Sequence, residues 1–270
     1  MTKTILITGS TDGIGLATAE LLASSGQKVI LHGRNPDKLA RVAEQLSERF
    51  PGAIAGTYTA DISTLAGVRE LASAVKERSG TVDVLVNNAG VYRGANGPTA
   101  DGIDLRFAVN TVAPFFLTRL LLPIIPADGR VINLSSAAQS SVDLRAMLAA
   151  KPVGDGEAYA QSKLALTMWS EHLASELGNA GPAIIAINPG SFLGTKMVQD
   201  AYGSSGNDIS IGASILAKAA LDDAFAGATG RYFDNDTGRF AAPHPDAANP
   251  QRVAELMEVL GELMSERQQT

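Results

Sequence analysis

The chain has 270 residues, 45% of them hydrophobic and 19% charged, which is enough apolar content to bury a sizeable core. Its net charge of −6 is spread over interspersed acidic and basic residues, which argues against nucleic-acid and anionic-membrane partners. The absence of cysteine excludes disulfides and thiolate metal sites, and His32, His172 and His244 are too scattered to suggest a metal centre.

The first residues, MTKTILITG, run straight into a strand pattern with too few apolar residues for a signal sequence. No apolar run approaches the ~18 residues of a membrane span. The longest, APFFLTRLLLPII, is interrupted by Arg119 and Pro123. The expectation is a cytoplasmic soluble protein.

In chain order, KTILIT precedes the helical GLATAELLASSG, KVILHG precedes PDKLARVAEQLSERF, and IAGTYTAD precedes LAGVRELASAVKERSG. VDVLVNNAG leads into a longer helical region around 101–126, and GRVINLSS leads, after an irregular stretch, into AYAQSKLALTMWSEHLASELG. PAIIAINPG follows, and GRYFDN is a late candidate strand. Apolar strands alternating with helices predict an α/β fold: one Rossmann-like, doubly wound parallel sheet flanked by helices, with its ligand site beyond the carboxyl ends of the strands. No linker or repeat divides the chain, so residues 1–270 form one expected domain, with site-covering loops near 140–157 and 190–210 and a further irregular stretch at 227–250.

Between the first strand and helix, ITGSTDGIG sets Gly9, Gly13 and Gly15 where a backbone must turn tightly and approach a diphosphate. Gly9 allows the turn, Gly13 and Gly15 keep side chains away from the diphosphate, and Ser10 and Thr11 can add hydroxyl donors. The G-x-x-x-G-x-G spacing, NNAG (Asn87 to Gly90), Asn110 in VNT, Ser136 ending INLSS, Tyr159 and Lys163 in YAQSK, and NPG (Asn188 to Gly190) are six ordered matches over about residues 4–200. Together they resemble the short-chain dehydrogenase/reductase family.

That resemblance implies a nicotinamide cofactor cradled by Gly9 to Gly15, with Asp12 and Ile14 in the turn, and lined by Asp61, Ile62, Asn88, Ala89, Gly90, Pro189, Gly190, Ser191, Phe192 and Thr195. The second strand ends in HGRN, with no carboxylate for the adenosine hydroxyls, whereas the Arg34 guanidinium, followed by Asn35, matches a 2′-phosphate. NADP(H) is therefore favoured over NAD(H). Family members using NADP often carry a second basic residue in the glycine turn, a position held here by Asp12. Asp61 matches the family position that accepts from the adenine amino group, although it could equally cap the helix beginning near Ser63.

Tyr159 and Lys163 lie four apart on a helix and so share a face. A tyrosine with a pKa near ~10 is a poor base at neutral pH, and a lysine ammonium one turn away favours the phenolate. The resemblance implies that Tyr159 exchanges the proton with the substrate oxygen, Lys163 binds the nicotinamide ribose, Ser136 holds the substrate oxygen and Asn110 supports a water-linked relay. Trp169 and His172 are expected to pack or to lie at an interface. No metal is expected.

Two departures mark the chain. Ser136 and Tyr159 are 23 positions apart, about ten more than in the commonest family members, with SSVDLRAMLAAKPVGDGEA as a short excursion at the mouth of the site. Similar lengthening, DGIDLRFAVNTVAPFFLTRLLLP and GRYFDN resemble the retinol-dehydrogenase-like branch. In NPGSFLGTKM the threonine, Thr195, comes one residue late, so either the loop bulges around Gly194 or backbone groups of Ser191 and Phe192 replace its contact. Residues 196–210 are expected to cover a substrate, with Met197, Val198 and Tyr202 as apolar contacts.

The expected function is an NADP(H)-dependent oxidoreductase interconverting a small-molecule carbonyl and an alcohol. The alternatives are a non-catalytic NADP-binding regulatory or scaffold protein and a sugar-nucleotide epimerase or dehydratase. A homodimer or homotetramer through the helices around 101–125 and 158–178 is expected by family analogy.

Overall fold

Along the central strands, neighbouring side chains part to opposite faces of one sheet, as strand geometry demands. In the computed structural model, which describes residues 1–94 and 97–265 apart from the side chain of Tyr202, Leu6, Ile30, Leu85, Val131 and Ile184 enter one apolar core. Ile5, Ile7, Val29, Leu31, Val84, Val86, Ile132 and Ile185 enter the other. Both faces are covered, so the strands are apolar throughout. The edge strand β3 (Ile54–Thr59) is the exception and leaves alternate residues exposed.

The other strands are β1 (Thr4–Ile7), β2 (Lys28–Gly33), β4 (Val84–Asn87), β5 (Arg130–Leu134), β6 (Ala183–Asn188), β7 (Arg231–Asp234) and β8 (Arg239–Ala241). Their spatial order is β3-β2-β1-β4-β5-β6-β7-β8. All neighbours run parallel except β7 and β8. The order reverses between β1 and β4, which opens a crevice at their carboxyl ends. This is the single-domain doubly wound fold expected from the alternation.

The first three long helices start on side-chain caps. Asp12 accepts from the Gly13 amide (2.8 Å) at α1 (Gly13–Ser24). Asn35 accepts from the Lys38 amide (2.9 Å) at α2 (Pro36–Arg49), with Pro36 in the first turn, where its missing N–H costs nothing. Thr64, rather than Asp61, caps α3 (Leu65–Ser79). Asp61 instead accepts from the Ser63 amide at 3.0 Å.

The long region after β4 is α4 (Leu105–Phe107), a π turn over Ala108–Val112, and α5 (Ala113–Leu121), extended by a 3-10 turn to Ile124. Leu105–Ile124 spans 20 residues with mean hydropathy 1.5 over its most apolar window, so a stretch apolar and long enough to cross a membrane does exist, contrary to the sequence expectation. It is 72% buried within the domain over that window, the mark of a core helix.

Residues 140–157 contain α6 (Leu144–Met147), which is more than an excursion. Met147 is fully buried, its carbonyl accepts from the Asp104 amide (2.9 Å), and the Asp143 amide donates to Gln161 (2.9 Å). Helix α7 (Asp155–Leu177) follows, then α8 (Lys196–Tyr202), which orders part of the expected 190–210 loop, and α9 (Ile209–Leu221). The Pro/Gly-rich 227–250 stretch supplies β7 and β8.

Helix α10 (Pro250–Ser265) buries Leu256 and Leu260 in the core shared by α5 and α7, and Arg69 donates to its Met264 carbonyl at 3.4 Å. It lies beside Phe115 and Arg119 of α5. The face assigned from sequence to subunit contacts is thus partly covered by the chain's own last helix.

Candidate active site

The glycine turn is shaped by positive φ at Gly9 (+65°) and Gly13 (+52°), a conformation β-carbons resist. Gly15 has a further reason beside the one its sequence position suggests. A β-carbon there would lie 2.4 Å from the Asn88 amide nitrogen and 2.4 Å from the Gly9 carbonyl, so packing within the turn already requires Gly15. Asn88 donates its side-chain amide to the carbonyls of Thr8 (2.8 Å) and Gly9 (3.2 Å), and so holds the turn. Ala89 donates its amide to the Thr8 hydroxyl (3.1 Å).

Ser10 also differs from expectation. Fully buried, its hydroxyl accepts from the His32 amide (2.9 Å) and donates to the His32 carbonyl (3.3 Å), so it ties the turn to β2 and is not a free phosphate donor. Thr11 instead rests its methyl group against Gly33.

His32 went unassigned in sequence. Its Nδ1 accepts from the Gly9 amide (3.2 Å), and its Nε2 is 3.2 Å from the Ala60 carbonyl. Together these bonds require a neutral ring with the proton on Nε2. Burial pushes its pKa down to about 4, partly offset by the Ala60 carbonyl.

Arg34 and Asn35 are exposed just past β2. The Lys38 ammonium lies 2.6 Å from the Asp12 carboxylate. That hydrogen bond is the chief reason Asp12 is held below the usual carboxylate range. The acidic residue in the turn therefore brings a cation with it. Asp61 is exposed and Ile62 buried at the end of β3.

Across the crevice, Asn110 lies in the π turn, an irregularity frequent at functional sites. Its amide accepts from the Val91 N–H (2.8 Å) and donates to the Val91 carbonyl (2.9 Å) and the Ser162 hydroxyl (3.0 Å). A β-carbon on Gly90 would fall 3.4 Å from Asn110 Oδ1 and 3.7 Å from Lys163 Nζ, so Gly90 keeps open the space these groups face. Lys163 donates to the Leu134 carbonyl at 2.6 Å, and burial pushes its pKa down to about 7. Its Nζ lies 5.6 Å from the centre of the Tyr159 ring. Tyr92, also unassigned from sequence, tilts against that ring at 5.1 Å.

The two serines ending β5 differ. The Ser135 hydroxyl is buried against Thr167 (2.7 Å) and the Lys163 carbonyl (3.2 Å) of α7. The half-buried Ser136 hydroxyl accepts from the Ala138 amide (3.1 Å), which leaves its own proton to donate. Trp169 is core, 5.5 Å from Phe115, while His172 is exposed.

Beyond β6, Pro189 and Gly190 (φ +122°) lead to Phe192, a non-glycine residue at φ +52° that is 57% exposed. The extra residue before Thr195 is absorbed here. Phe192 turns left-handed, the Thr195 amide closes back onto the Leu193 carbonyl (2.6 Å), and the Gly194 amide donates to the Asn207 carbonyl (2.7 Å). The loop bulges at Phe192–Gly194, and Thr195 still reaches the glycine turn, its methyl 3.5 Å from where a Gly13 β-carbon would stand. Thr195 also caps α8. Met197 and Val198 on α8 are half-buried, and the side chain of Tyr202 lies outside the described residues. Arg93 ties α8 to the site by donating to the Asp200 (2.6 Å) and Ala201 (3.3 Å) carbonyls.

The side-chain-free cradle over the α1 N-terminus, and the Gly90 opening beside Lys163 and Asn110, fit a nicotinamide dinucleotide. Among the described residues no cluster of metal-ligating side chains occurs.

A family model described as short chain dehydrogenase matches residues 3–204. Human retinol dehydrogenase 13 is 30% identical over 94% of this chain and 82% of its own length. The mouse protein of the same name is 35% identical over 70% of this chain, but the match spans only 58% of that relative. Among solved structures, an uncharacterized protein from Mycobacterium paratuberculosis superposes with a TM-score of 0.78 at 27% identity, covering 98% of this chain and 93% of its own. The Pseudomonas aeruginosa RhlG/NADP active-site complex superposes with a TM-score of 0.70 at 28% identity, covering 86% and 94%. Neither fold nor relatives support the cytoplasmic location expected from the sequence. The chain belongs to the short-chain dehydrogenase/reductase family, in its retinol-dehydrogenase-like branch, and is an NAD(P)-dependent oxidoreductase.

Proposed function

We propose that the protein interconverts a small-molecule carbonyl and an alcohol with NADP(H), Tyr159 exchanging the proton. The observation that carries this reading is the meeting of Asn110, Lys163 and the Gly90 opening beside Tyr159, with a donor hydroxyl on Ser136 at the next strand end. When bound, NADPH supplies a hydride to the carbonyl carbon. Tyr159 then gives its phenolic proton to the carbonyl oxygen, while Ser136 donates a hydrogen bond to the same oxygen and steadies its developing charge. Lys163, held by the Leu134 carbonyl, would hold the nicotinamide ribose hydroxyls, and Asn110 fixes the Val91 backbone. The oxidation of an alcohol runs the same transfers in reverse.

The preference for NADP(H) is supported by exposed Arg34 at the end of β2 and by Lys38, one helical turn into α2. A 2′-phosphate offers more charge than the single Asp12 carboxylate and can draw Lys38 to itself. Residues 140–157 and α8 would cover the substrate. A homo-oligomer using α5 and α7 would form with α10 in place.

Calorimetric titration with NADPH and NADH, on the wild type and Arg34→Ala, tests the reading. Preference for NADPH that falls about tenfold in the variant is expected. Equal binding of both cofactors by the wild type would refute the NADP(H) preference.

A further inference from the structure

The GRYFDN stretch forms β7 and the turn into β8, and no step above uses it. Its bonds nonetheless converge on the loops that face the site. Buried Tyr232 donates its hydroxyl to the Ser136 carbonyl (3.1 Å), which also accepts from Gln139 (3.0 Å). Asn188 at the end of β6 gives both amide protons to the turn, one to Asp234 (2.8 Å) and one to Asp236 (2.9 Å). Asp236 further accepts from the Ser191 amide (2.8 Å) and hydroxyl (2.5 Å). Asn235 donates its amide side chain to the Pro189 carbonyl at 2.9 Å.

The turn has a firm base. Phe225, Phe233 and Phe240 pack at ring distances of 5.2, 5.5 and 5.1 Å, and the Arg231 guanidinium covers Phe240 at 3.9 Å. The loop it grips is the strained one, with Gly190 and Phe192 on either side of Ser191 both in positive φ. Such a conformation persists only where its surroundings over-determine it. Burial raises the Asp236 pKa, but the Ser191 and Asn188 hydrogen bonds outweigh that and keep it a carboxylate.

We propose that the β7–β8 turn is a positioning element for the nicotinamide end of the cofactor site, with Asp236 and Asn235 holding Pro189–Ser191 in the shape that meets the nicotinamide. The proposal rests on the NADP(H) reading above. Among the described residues, none of the turn's bonds reaches the adenosine end, which is built on β1, β2 and the glycine turn. A defect in the turn therefore weakens one half of the dinucleotide and spares the other.

The test is calorimetric titration of the full-length protein with NADPH and with adenosine 2′,5′-bisphosphate, which has the adenosine end and no nicotinamide. Asp236→Asn is expected to weaken NADPH about fivefold and the bisphosphate less than about twofold. Asn235→Ala, a milder change that leaves both carboxylates, is expected to act in the same direction by about twofold, and it decides the matter if Asp236→Asn does not fold. Equal loss of both ligands would make the turn a general support of the fold and overturn the proposal, as would unchanged NADPH binding. Failure of the wild type to bind either ligand would instead bring down the cofactor reading and this proposal with it.

Discussion

The two halves of the crevice are built from different materials. On the β1–β3 side the glycine turn offers backbone to a ligand, with the Arg34 and Lys38 side chains at its rim, and Ser10, Asn88 and His32 spend their polar atoms holding that backbone in place. On the β5–β8 side the surface is made of side chains drawn from α5's π turn, the end of β5, α7 and the β6–α8 loop. The first half is a rigid mould whose faults should appear as lost stability. The second assembles the proposed reacting groups, and its faults should appear as lost chemistry.

The largest effect expected from a single atom lies in the second half. Tyr159→Phe removes the proposed proton carrier and leaves the ring against Tyr92. Turnover of any carbonyl accepted by the wild type should fall about a thousandfold or more, with NADPH affinity within about threefold of wild type. Steady-state rates beside a binding titration measure both. Retained turnover would mean that another group carries the proton. The mirror-image change, Gly15→Ala in the first half, drives a methyl group into Asn88 and the Gly9 carbonyl. It should cost roughly 3 kcal/mol in urea unfolding, with loss of NADPH binding following from the displaced turn. An unaltered unfolding midpoint would show that the turn yields more readily than its contacts imply.

This division also explains what could be read from sequence. The parallel sheet, the glycine turn and the Asn110, Ser136, Tyr159 and Lys163 positions were legible because each is a short local pattern at a strand end or on one helix face. The anchors were not. His32, Asn88 and Asp236 act through bonds across 23, 80 and 45 positions of chain, which no local spacing encodes. Helix α10 does not stand out in the sequence, and the 140–157 and 227–250 stretches read as irregular. Short elements such as α6 and β8 carry too few residues to show a period, and their stability comes from what they pack against. Gly15 stands out for one physical reason and is required for a second as well, because a glycine records that a side chain is forbidden but not what forbids it.

The smallest effect separates the mould from its ligand. His32 titrates near 6.5 when unfolded, and burial lowers its pKa to about 4 in the fold. Between those values the unfolded chain binds a proton that the folded chain refuses, so stability rises with pH and is lost as pH falls from the unfolded value toward the folded one. Protonation of Nδ1 would also remove the acceptor for the Gly9 amide. Between pH 7 and 5 this residue alone should account for about 2 kcal/mol of lost stability. His32→Gln can still donate and accept but does not titrate, so its urea-unfolding free energy should fall less over the same interval by that amount. Because carboxylates lose stability over the same range in both proteins, only the difference between the two curves reports on the ring. Parallel curves would mean that the His32 ring takes up its proton inside the fold near its ordinary pKa, and that the glycine turn is not held by a neutral imidazole.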